Sequence, residues 1–191
     1  EGKTVDLSQY FPEGGIRVCQ MQIKKNKRSP SSVGFDPRMI YWTALNERGG
    51  LLTLFHEMGH VEIDKNPSKQ KIISNTGISA EEKKEGLTLE DKRRLISERI
   101  AWAFALRLYR KLKSQGIDIL PKDTKNQDIK KLIHSSALGS YARSINNKMF
   151  DRKYPYQKMV KAFLDEMFEN ERRSSYNDDC EDDMYNDDKN N

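Results

Sequence analysis

The sequence predicts an α+β fold, a small antiparallel sheet of short strands followed by a mainly helical bundle, and three observations carry that prediction. Residues 16–24 and 39–45 have the composition of short strands. From residue 51 onward, apolar residues recur at helical spacing. At 191 residues and 22.3 kDa the chain can build one domain with a substantial core, and is too short for two comfortable ones.

Composition narrows the function classes. The formal net charge is +5, but residues 174–191 hold seven acids against Lys189, so the tail carries −6 and the rest +11. The acidic tail can fold back on the basic body; a solvated body with a tail lacking fixed structure is the plainer reading. Nucleic acid is a less favoured partner, because no basic helix with interleaved aromatics is present. No stretch approaches the roughly 18 apolar residues that a membrane span requires, so no membrane role is expected. Cys19 and Cys180 make no disulfide framework, which favours a reducing, cytoplasmic compartment. The chain starts at Glu1 rather than methionine, leaving room for an upstream segment and a targeting signal within it.

The elements follow in order. Residues 1–15, with Pro12 and the Gly14-Gly15 pair, read as an irregular lead-in to the first strand. Residues 24–32, KKNKRSPSS, form a basic loop that is solvated, with a nucleic-acid patch as the weaker reading. A turn at Asp36-Pro37-Arg38 leads to the second strand, which either sits in the core or lends a free edge to an extended peptide. The helix over residues 51–63 ends at Asp64, Asn66 and Pro67. Residues 66–86 are polar and read as a loop, of the kind that covers active sites, with one helical turn at 79–85.

Thr88 followed by Asp91 caps a long helix over residues 89–115, which Gly116 stops. Asp123 or Thr124 caps another, running through Ile129, Leu132 and Ile133 to Gly139, and a short helix covers residues 141–149. In the last helix Tyr156, Met159, Val160, Phe163, Leu164, Met167 and Phe168 recur on one face and are core residues. The expected domain is therefore residues 1–173, with its centre at about 39–110, a helical part at 117–173, and the acidic tail at 174–191.

Within the first helix the chain reads HEMGH. Residues four apart share a helical face, so His56 and His60 can turn their imidazoles onto one ion, half of a zinc site. Glu57, about 100° around the helix from His56, is left beside the ion, where a carboxylate can take a proton from a zinc-activated water. A chain with this composition would show H-E-x-x-H by chance only about 0.003 times, so the pattern is specific. The competing reading is a buried amphipathic helix whose histidines only satisfy local hydrogen bonds.

A catalytic zinc takes three protein ligands and keeps one position open. A third ligand from the same helix, after a glycine break, fails here because the required positions hold Ile63 and Asn66. Glu98 is the candidate: its same-face neighbours Leu95, Ala101 and Trp102 leave a carboxylate in apolar surroundings, and coordination resolves that conflict. The alternative is a surface glutamate paired with Arg94 or Arg99. Asp64 fits as a supporting partner for the imidazoles. His134 is structural or touches substrate, and Tyr141 and His134 are the available hints of an oxyanion donor.

The strand, the HEMGH helix, and Glu98, Ala101, Phe104 and Ala105 in the pattern E-x-x-A-x-x-F-A together resemble the ImmA/IrrE family of zinc metallopeptidases, over about residues 39–110. The resemblance implies a zincin-like, gluzincin-type domain, with one zinc ion held by His56, His60 and Glu98 and with Glu57 as catalytic base. It implies a protein or peptide substrate, such as a transcriptional repressor or an antitoxin-like regulator. Trp102 stands where the family commonly has asparagine, which removes a polar group near the ligand.

The function expected is therefore zinc-dependent endopeptidase activity, a hydrolase reaction through metal-activated water. The rival is a non-catalytic zincin-like protein that sequesters a regulator without cutting it. A purely structural zinc fits less well, since such sites use four protein ligands.

Overall fold

The computed structural model describes residues 6, 10, 17–20, 32–33, 39–42, 50–136, 138–148 and 156–177. In this region the chain is mainly helical, which overturns the expected α+β class with an antiparallel sheet. Extended chain is limited to β1 (Arg17–Gln20), β2 (Ser32–Val33) and β3 (Met39–Trp42). Their pairing is mixed: β3 runs parallel to β1 and antiparallel to β2. The physical reason is the connection length, because the stretch between Gln20 and Met39 is long enough to return the chain in the same direction.

The order β1-β3-β2 also corrects the idea that the second strand offers a free edge to a peptide. Ile40 and Tyr41 are paired on both sides, so their main-chain groups are already engaged. The basic loop at 24–31, the turn at 36–38 and the tail beyond Asn177 lie outside the described residues.

Among the described residues seven helices follow: α1 (Gly50–Lys65), α2 (Pro67–Ser74), α3 (Ala80–Lys84), α4 (Leu89–Ser114), α5 (Asn126–Ser136), α6 (Leu138–Lys148) and α7 (Tyr156–Asn177). The stretch expected to be a loop after α1 contains α2. Asn66 explains it: its side-chain oxygen accepts from Ser68 N at 3.1 Å and Lys69 N at 3.2 Å, and Pro67 occupies the first helical position. The residues that end one helix thus start the next. Ser79 begins α3 with a reciprocal capping box to Glu82.

Helix α4 matches its expected limits. Thr88 Oγ1 accepts from Asp91 N at 3.1 Å at the start. At the end Gly116 has φ +76°, while its N–H donates to Lys113 O and that of Ile117 to Leu112 O, the paired bonds of a Schellman termination. Helix α7 runs four residues beyond the expected tail boundary.

Helices α1 and α4 form the most extensive helix pair. Leu52, Phe55 and Met58 from α1 join Leu95, Trp102, Ala105, Leu106 and Tyr109 from α4 in one core, which continues through Ile133, Leu138 and Ala142 to Tyr156, Val160 and Leu164 of α7. The two backbones come close at Gly59, where a Cβ would stand 2.7 Å from the Ala101 carbonyl oxygen and 2.8 Å from its Cα. Glycine in the HEMGH turn therefore lets the two backbones touch. Among the described residues no helix is long and apolar enough to cross a membrane.

Candidate metal centre

The geometry of α1 follows from its composition. Leu52, Phe55, Met58 and Val61 are fully buried, so the helix is gripped on several sides and its polar residues are drawn inward with it. His56 and Glu57 are each 6% exposed and Glu98, arriving from α4, is 8% exposed. A surface glutamate is thereby excluded: Glu98 does not pair with Arg94 or Arg99, which lie against Glu90 and the Phe163 ring respectively.

Glu98 meets both histidines instead. His56 Nε2 is 3.1 Å from Glu98 Oε2, His60 Nε2 is 3.5 Å from Glu98 Oε1, and the two Nε2 atoms are 3.2 Å apart. Two imidazole nitrogens this close cannot both present lone pairs without repulsion; a proton or a metal ion has to stand between them. Donors about 2.05 Å from a tetrahedral ion lie about 3.3 Å from one another, and the three separations fall around that value. The group His56, His60 and Glu98 can therefore hold a metal ion.

In the metal-free protein the charges couple strongly. Burial disfavours the Glu98 carboxylate, but hydrogen bonds and charge from His56 and His60 outweigh it and hold the carboxyl down at about 2. Burial lowers His56 below the ordinary imidazole range. On His60 burial acts in the same direction, yet the Glu98 hydrogen bond and the carboxylates of Glu98, Glu57 and Asp64 raise it. Glu57 is pushed up to about 7, chiefly by burial, with His60 opposing and Glu98 adding to the rise. It stands beside the donor group without belonging to it.

The other expected participants divide. Asp64 is exposed and acts on His60 as a nearby charge. His134, on α5, is not brought into the donor group. Tyr141, on α6, is not in the donor group either; its phenol is raised above the ordinary range, first by the Glu98 charge and then by burial.

Trp102 packs directly against the donor group. Its indole stacks on the His56 ring, with centroids 4.3 Å apart and planes 24° from parallel. It fixes the ring by packing, while among the described residues neither the buried His56 Nδ1 nor the buried Trp102 Nε1 has a hydrogen-bond partner. The sequence signal was the i, i+4 spacing of Glu98 and Trp102, which places both on the face of α4 turned toward α1. The chain matches no family model, no curated protein and no solved structure.

Proposed function

We propose that this protein is a zinc-dependent endopeptidase. The observation that carries the reading is the convergence of His56 Nε2, His60 Nε2 and the Glu98 carboxylate within 3.1–3.5 Å, with the buried Glu57 carboxyl alongside. His56, His60 and Glu98 would hold the zinc, which would supply Lewis acidity to polarise a peptide carbonyl and to make water a usable nucleophile.

The remaining chemistry belongs to the chain. Glu57 accepts a proton from the attacking water and delivers it to the leaving amine nitrogen. Without a metal, burial raises its carboxyl to about 7. A cation held by His56, His60 and Glu98 would oppose that upward shift and favour the ionised base. Glu98 and the Trp102 stack hold the His56 imidazole in place. The resemblance to ImmA/IrrE peptidases points to a cytoplasmic repressor or antitoxin-like regulator as substrate.

The test is cleavage of candidate regulator proteins by the zinc-loaded chain, with and without chelator, beside Glu57→Gln. The expected result is fragments from the wild type, none with chelator, and none from the variant although it binds zinc normally. Cleavage by Glu57→Gln at the wild-type rate would remove Glu57 as the base. Binding of a regulator with no cleavage by any form would favour the sequestering reading.

A further inference from the structure

Beyond Glu98 the face of α4 that carries the metal donor continues toward the helix start. Asp91, Arg94 and Glu98 are spaced by three and four residues and share that face. Helix α6 packs against α4, and between them is a cavity of about 230 Å³ lined by Asp91, Arg94, Tyr141, Ser144, Ile145 and Lys148. Tyr141 lines this cavity from α6, opposite Arg94, which stands on α4 one turn before Glu98.

The charges lining the cavity do not cancel. Asp91 is already engaged: the Thr88 hydroxyl donates to one carboxylate oxygen at 2.8 Å and Lys148 donates to the other at 2.6 Å. That pairing also neutralises Lys148. Arg94 is largely exposed, and its ion pair with the still more exposed Glu90 is 3.9 Å long, a solvated contact of little energetic weight. Its guanidinium remains able to bind a carboxylate through two parallel hydrogen bonds, with the Tyr141 and Ser144 hydroxyls lining the same space.

We propose that the α4–α6 cavity is a specificity pocket that receives an aspartate or glutamate side chain of the peptide, with Arg94 as its anchor. That the peptide is a substrate rests on the endopeptidase reading; the preference for a carboxylate does not.

Two measurements separate these claims. The first is equilibrium binding of acetylated, amidated hexapeptide sets, with glutamate or glutamine scanned through each position, to zinc-loaded Glu57→Gln with Arg94 intact or changed to Gln. At one position glutamate should bind at least about fivefold tighter than glutamine, and Arg94→Gln should erase the difference without changing zinc affinity. The second is cleavage of a mixed peptide digest by the wild type and by Arg94→Glu. An acidic residue should be enriched at one position relative to the cut, and the variant should shift that enrichment to lysine or arginine.

An Arg94-dependent glutamate preference with no cleavage leaves the pocket standing and removes the endopeptidase. Cleavage without an acidic preference, or a preference that survives Arg94→Gln, overturns the pocket and leaves the endopeptidase. No binding by either the glutamate or the glutamine set also overturns it.

Discussion

Gly59 and Ala101 bring two helices into backbone contact: a Cβ on Gly59 would stand 2.7 Å from the Ala101 carbonyl oxygen. Gly59 immediately precedes His60, and Ala101 lies one turn beyond Glu98. The distance between the α1 and α4 backbones thus sets the distance between the imidazoles and the carboxylate. A methyl group at position 59 has to push the helices apart, because the atoms opposing it are backbone.

Gly59→Ala therefore should destabilise, although alanine is favoured over glycine in a helix by about 1 kcal/mol. Overpacking of this kind costs about 1–3 kcal/mol, and the widened gap should weaken zinc binding as well. Urea denaturation and zinc titration check both effects. A variant as stable as the wild type with unchanged zinc affinity would contradict the close approach.

Glu98→Gln retains the shape of the side chain and removes its charge. Loss of partners that merely support a ligand lowers metal affinity about 10–100-fold, so loss of a ligand should exceed about 100-fold. Competition with a chromophoric chelator measures this directly. Wild-type zinc affinity in the variant would remove Glu98 from the donor set.

The pH dependence of stability isolates Glu57. In the metal-free protein its carboxyl is held at about 7, against an ordinary 4.5. The folded state keeps a proton that the unfolded chain has released, so this contribution is full below pH 4.5 and is lost as pH rises through 7. The ceiling on the loss is about 3 kcal/mol. With chelator present, the wild type should lose more stability than Glu57→Gln between pH 4.5 and 8, as read by denaturant midpoints. Parallel curves would show that Glu57 does not sit in a desolvated place.

A fourth prediction concerns the support behind the site. The fully buried Tyr156 donates its hydroxyl proton to Glu82 Oε1 at 2.7 Å, and Lys92 Nζ lies 2.8 Å from the other oxygen. These bonds tie α7 to α3 and α4. Tyr156→Phe should cost about 1.5–3 kcal/mol, the range for a hydrogen bond to a charged group, while leaving zinc affinity unchanged. Thermal unfolding and zinc titration together check it.

Much of the metal centre can be read in the linear chain because its determinants are local. The four-residue spacing of His56 and His60 is a property of one helix, as is the apolar setting of Glu98. Thr88 and Gly116 mark the limits of α4 by the same logic, since capping involves groups within a few residues. Asn66 was legible only in part: it marks the end of α1, but its two bonds into α2 make it a start as well.

By itself the sequence determined which side chains α1 and α4 carry on one face, because helical periodicity converts spacing into direction. Tertiary structure alone decided how near those faces come at Gly59 and Ala101, that Trp102 stacks on His56, and that Arg94 and Tyr141 share a cavity. It also decided the mixed order of the three strands, against the antiparallel arrangement expected. Each of these depends on packing between segments far apart in the chain, where free energy comes from the fit of two surfaces and no single stretch of residues encodes it.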